Sequence, residues 1–152
     1  MELEKSRELL REWLKIQACT ENVYTTFIKR FQLSKNAFFA LDYLNTHPEG
    51  EEPALLADYL GLTRQMMTIV LNDLDERGFI QRHERQDDHR RKTILLSKLG
   101  KSTADEVCQS LEDFDIAALA EFSDEELCNM FEFSTRFYEK IKLQLENSQL
   151  DL

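Results

Sequence analysis

The chain has 152 residues, 42% hydrophobic and 32% charged, which suits one soluble domain with a sizeable core, taken as residues 1–152. It has no long apolar run, and its charged start MELEKSRELLREW is unlike a signal peptide, so an exported or membrane-spanning protein is not expected and the cytoplasm is. The net charge of −10 is uneven: residues 79–101 carry 7 basic and 3 acidic side chains, residues 1–78 carry 9 and 13, and residues 102–152 carry 3 and 13.

All four glycines and both prolines lie between positions 48 and 100, which leaves the two ends free to form long helices. In the first, Leu10, Trp13, Leu14, Gln17, Val23, Tyr24, Phe27, Ile28 and Phe31 recur at steps of three and four. Ser34 is the expected N-cap of a helix over 36–45 that turns Phe38, Leu41 and Leu44 to one side. His47-Pro48-Glu49-Gly50 stops it, and a short helix runs from Pro53 to Leu60. Gly61 makes a turn and Thr63 caps a helix over 64–77, with Met67, Val70, Leu71 and Leu74 facing the core and Gly78 at its C-terminal stop. Phe79–Arg85 and Lys92–Leu96 alternate like strands around a charged loop, Gln86–Arg91. Ser97 opens a helix with Ala104, Val107, Cys108, Leu111 and Phe114 inward. Ser123 and Glu126 form a capping box for the last helix, which shows Leu127, Met130, Phe131, Phe137, Tyr138, Ile141 and Leu145.

A helix, a glycine stop and a charged hairpin make the plan of a winged helix-turn-helix, in which the helix enters a DNA groove. The expected fold is mainly α with a small β-wing. Residues 33–100 form the DNA-binding lobe, and residues 1–32 and 102–150 supply N- and C-terminal dimerisation helices. Dimerisation is expected because the apolar stripes of the two ends exceed what so small a core can cover. A monomer with a self-contained helical annex is the competing solution. Screening over roughly 8 Å lets the cationic hairpin, rather than the acidic ends, decide what docks there.

Several motifs stand in a fixed order. They are Leu33-Ser34 with Phe38 and Leu41, then Leu74-Asp75-Glu76-Arg77-Gly78-Phe79-Ile80-Gln81-Arg82, then Asp88-His89-Arg90 followed by Thr93-Ile94-Leu95-Leu96, Ser97 and Gly100. Phe122-Ser123-Asp124-Glu125-Glu126-Leu127 closes the series. In these the chain resembles the MarR family of bacterial transcriptional regulators over nearly all its length.

The resemblance implies a sequence-specific regulator, a ligand- or stress-responsive repressor that binds a pseudo-palindromic operator in double-stranded DNA as a homodimer. Thr63, Arg64, Gln65, Thr68 and Asn72 are the expected recognition-helix contacts. Arginine pairs with guanine O6 and N7, glutamine and asparagine pair with adenine, and threonine offers a hydroxyl and a methyl. Where the family commonly has a basic residue, this chain has Ile69. Arg90 at the wing tip is expected in a narrow minor groove with Asp88 fixing its guanidinium, and Arg85, Arg91 and Lys92 clamp phosphates. A solvated polar face and a plain surface salt bridge are the competing readings of these residues.

The resemblance also implies a small lipophilic or phenolic effector that shifts the population between two lobe spacings. Tyr24, Phe27, Phe31, Phe38 and Phe39 lie near the expected crevice, with a core role as the alternative for each. Cys19, Cys108 and Cys128 have no CxxC partner and are read as buried small hydrophobes, with redox sensing as the alternative, and Cys19 shares the first helix with the family's sensing cysteine. His47, His83 and His89 show no ligand spacing, so neither a metal nor a cofactor is expected. Without a phosphate loop, a nucleophile elbow or a paired catalytic set, an enzyme is not expected. The rival function is a winged-helix protein–protein interaction module that does not bind DNA.

Overall fold

The computed structural model describes residues 3–84 and 92–148. In chain order these form α1 (Leu3–Lys29), α2 (Lys35–Thr46), α3 (Pro53–Tyr59), α4 (Arg64–Glu76), β1 (Ile80–Glu84), β2 (Lys92–Leu96), α5 (Lys98–Leu119) and α6 (Asp124–Ser148). The chain divides into two compact units between Leu111 and Glu112, within α5. Among the described residues, no helix is long and apolar enough to cross a membrane.

The first unit holds the core. Ser34 Oγ accepts the Ala37 N–H at 3.1 Å and starts α2, one residue earlier than its periodicity indicates, and Ala37, Phe38, Ala40, Leu41 and Leu44 are buried. After α3 the N–H groups of Gly61 and Leu62 return to the carbonyls of Asp58 and Ala57, at 3.2 and 2.9 Å. This closes the turn into α4, where Thr63 Oγ1 accepts the Met66 N–H at 3.2 Å. Helix α4 buries Met67, Val70, Leu71 and Leu74, the four residues its periodicity selects.

At the end of α4, Gly78 has φ +72°, and the N–H groups of Gly78 and Phe79 bond the carbonyls of Asp75 and Leu74 at 2.9 and 2.8 Å. This paired return needs a left-handed residue, which glycine adopts without a Cβ clash. Phe79, expected to open the first strand, stays outside it because its N–H is committed to Leu74 and its carbonyl accepts the Ser97 N–H at 2.9 Å. Strands β1 and β2 are antiparallel, with Ile80 opposite Leu96, Arg82 opposite Ile94 and Glu84 opposite Lys92. Glu51 adds a bridge on the other side of Ile94, exchanging backbone hydrogen bonds of 3.0 and 2.8 Å. The α2–α3 connection thereby joins the root of the wing, a pairing invisible to local pattern. Residues 98–111 of α5 bury Gly100, Ala104 and Val107, with Cys108 and Leu111 partly covered.

The second unit comprises the remainder of α5 and α6. Phe114, expected inward, is exposed. The capping box forms as the spacing indicates: Ser123 Oγ accepts the Glu126 N–H at 3.3 Å and Glu126 Oε2 accepts the Ser123 N–H at 2.9 Å. That backbone N–H, and after it the Ser123 hydroxyl, hold the Glu126 carboxyl below the usual range. None of the residues of α6 is buried, and Phe131 is 72% exposed.

Candidate nucleic-acid interface

Burial of one stripe of α4 fixes what the opposite face presents. With 3.6 residues per turn, Gln65, Ile69 and Asn72 lie opposite Met67, Val70, Leu71 and Leu74, and Met66 and Thr68 flank them. All five are exposed, Ile69 by 64% and Met66 by 45%. Thr68 Oγ1 donates to the Arg64 carbonyl at 2.9 Å, and Thr63 is exposed at the cap.

Arg64 takes a different direction. Its Nη2 donates to Asp58 Oδ2 at 2.9 Å and its Nη1 to the Ala54 carbonyl, so the guanidinium lies back along α3. It braces the two helices of the turn. The ion pair is well exposed and stabilises the fold by only about 0–1 kcal/mol.

From β1, Arg82 reaches across to the second half of α4. Its Nε donates to Asp75 Oδ2 at 2.8 Å and its Nη2 to Asn72 Oδ1 at 2.9 Å, which orients the Asn72 carboxamide on the outer face. Sequence reasoning placed Arg82 in a motif without giving it this task. The available signal was an Asp and an Arg on either side of the Gly78 turn. Lys92 is exposed at the start of β2. Arg85, Asp88, Arg90 and Arg91, the other wing residues singled out above, lie outside the described residues.

A family model described as the MarR family matches residues 31–91, from the end of α1 into the wing. The match covers the winged-helix part of the chain. Solved structures repeat the fold over most of the chain. Streptococcus pneumoniae FabT in complex with DNA is 19% identical with a TM-score of 0.78, over 90% of this chain and 97% of that one. A Staphylococcus aureus MepR–DNA complex is 19% identical with a TM-score of 0.72, over 86% and 96%. NMB1585, a MarR family regulator from Neisseria meningitidis, is 21% identical with a TM-score of 0.71, over 92% and 98%. At such identities the likeness establishes the fold. No curated protein matches the sequence.

Within the first unit, the five aromatic residues assigned to a crevice fall at the end of α1, just beyond it and in α2. Phe27 and Phe38 are buried, Tyr24 and Phe31 are half-buried, and Phe39 is exposed. Phe27 packs on Phe31 with ring centres 5.7 Å apart, and Phe38 on Phe39 at 5.4 Å.

Sequence reasoning missed the cluster at the wing root. Tyr43 Oη donates to Glu51 Oε2 at 2.9 Å, and its ring stacks on His47 at 3.9 Å. The Glu51 hydrogen bond is the main reason the Tyr43 hydroxyl titrates above its usual range. The same Glu51 pairs through its backbone with Ile94, so the cluster fastens α2 to the sheet. Among the described residues, no group of three or more His, Cys, Asp or Glu side chains is placed to hold a metal. His89 lies outside them.

The cysteines correct the expectation of three buried thiols. Cys19 and Cys128 are exposed, because they sit on faces of α1 and α6 that this chain leaves uncovered. Cys108 is half-buried and its Sγ–H donates to Asp42 Oδ1 at 3.3 Å. Burial, then this bond to a carboxylate, push the thiol up to about 12. Native Cys108 is therefore expected to resist iodoacetamide at pH 8 and to react at an ordinary rate once the chain is unfolded, as peptide mass spectrometry can follow. The folded thiol keeps its proton to about pH 12 and the unfolded one to about 9. Its contribution to stability is then intact below pH 9 and lost as the pH rises to 12. Rapid alkylation of the native thiol at pH 8 would refute the assigned geometry.

Proposed function

We propose that the chain is a DNA-binding transcriptional regulator of the MarR type. The observation that carries this reading is a winged helix, matched by the MarR family model over residues 31–91, whose α4 keeps its outer face open and is followed in the sequence by the most cationic stretch of an acidic chain. The fold likeness to FabT and MepR, both solved with DNA, supports it.

In this reading α4 lies in a major groove with Gln65, Thr68 and Asn72 toward base edges, and with Thr63 and Arg64 at its entry. Lys92, Arg85 and Arg91 contact phosphates, while Arg90, fixed by Asp88, enters the minor groove. Two chains pair through their terminal helices and bind half-sites about one helical turn apart on a pseudo-palindromic operator, which blocks transcription. The uncovered apolar side chains of α1 and α6, among them Leu10, Leu14, Phe131 and Ile141, support the homodimer. A lipophilic or phenolic effector between lobe and dimer helices, near Tyr24, Phe27, Phe31, Phe38 and Phe39, would shift the spacing of the two lobes and release DNA. Such a regulator works in the cytoplasm and has no catalytic task.

Binding to promoter fragments over a salt series tests the reading. A dimer that neutralises about six phosphates is expected to lose affinity with a log–log slope near −5. A flat salt response would favour the protein–protein interaction module instead, and full affinity retained by Arg90→Ala would remove the role given to Arg90.

A further inference from the structure

We infer that α4 reads thymine methyl groups through Met66 and Ile69, so that the base pairs beneath the middle of the helix are A·T. The inference rests on the DNA-binding reading above and names the half-site chemistry that reading leaves open.

Four observations lead to it. Ile69 occupies the middle of the outward face of α4, with Gln65 one turn before it and Asn72 almost one turn after, and Met66 stands beside it three residues back. Both apolar side chains are open, Ile69 by 64% and Met66 by 45%, so they have room for a groove surface and contribute little to the core. Arg64, the cation in the first turn of α4, is directed back to Asp58 and the Ala54 carbonyl and must give up both partners to reach guanine. Asp73, Asp75 and Glu76 make the end of the helix acidic.

In a major groove a thymine offers a C5 methyl that apolar side chains recognise, and its adenine offers N6 and N7 to glutamine or asparagine. Met66 and Ile69 suit the first of these, and Gln65 and Asn72 the second. Arg82 holds Asn72 by its carbonyl oxygen at 2.9 Å, which limits the directions the carboxamide can take. The face thus carries recognition groups for both halves of an A·T pair.

The test is selection of duplexes from a randomised pool by the full-length protein, followed by replacement of each thymine in the best site with deoxyuridine. This change removes only the methyl. Burial of one methyl-sized group corresponds to a loss of about fourfold per contacted thymine. Wild-type protein should show that loss at one or two positions per half-site. Ile69→Ser should bind the thymine site less well and become indifferent to uracil at one of those positions, with Ile69→Val retaining part of the discrimination. Met66→Ser should do the same at a neighbouring position. Circular dichroism and salt slope should be unchanged in all three variants. Selected half-sites centred on G·C pairs, or affinity indifferent to uracil throughout, would overturn the inference while leaving the DNA-binding reading intact. Failure to select any duplex at low salt would remove the DNA-binding reading and this inference together.

Discussion

A chain carrying Ile141→Glu and Leu145→Glu is expected to run as a monomer and to lose operator affinity by about 10²–10⁴-fold, with its winged helix still folded. The two positions are one turn apart on α6, 52% and 58% exposed, in a helix that buries none of its residues. A 25-residue helix with so many open apolar side chains needs a covering surface. A second copy of the chain supplies one under the proposed function. Two carboxylates placed there would have to lose their water when the copies meet, which opposes association. The affinity loss follows because one half-site no longer holds the second lobe near its own half-site. Sedimentation equilibrium reads the mass, circular dichroism the fold, and operator titration the affinity. A variant that stays dimeric would place the interface elsewhere, and a monomer with undiminished affinity would refute paired half-site binding.

Gly100→Ala is expected to destabilise the first unit by about 3 kcal/mol and to lower its melting temperature by about 10 °C. A Cβ at this position would sit 1.8 Å from the Phe79 carbonyl oxygen and 2.7 Å from the carbon. Neither is the end of a flexible side chain, and that same oxygen accepts the Ser97 N–H at 2.9 Å. The first turn of α5 would therefore have to lift from the strand entry, weakening the Ser97 Oγ bond to the Gly78 carbonyl at 2.6 Å. Gly78→Ala provides the control. Its added Cβ meets nothing within 4 Å, so only the left-handed φ of +72° opposes it, at about 1 kcal/mol. Urea melts of both variants decide between the two effects: equal losses would mean that close approach of the backbones at Gly100 is not what excludes a side chain.

Much of the lobe was legible in the chain because its causes are local. Ser34, Thr63 and Ser123 cap the helices they were expected to cap, and both strands of the wing form. Each signal lies within four residues of its effect, at the scale where backbone hydrogen bonding and side-chain direction are decided. The outer face of α4 was legible for the same reason, since a buried stripe dictates its opposite. Ile69 was noticed as a departure from the family pattern, but its position at the centre of an open face emerged only with burial.

The amino-acid order by itself determined which helices and strands form and in what order, which side of α4 is apolar and where positive charge collects. Tertiary structure alone decided that Arg64 turns back to α3, that Arg82 orients Asn72, that Glu51 joins the wing beside Ile94, and that α5 rests on the Phe79 backbone. These arrangements join residues of different elements, and the partner an arginine or a backbone amide selects depends on which groups the fold brings within about 3 Å of it. Periodicity carries no such distances.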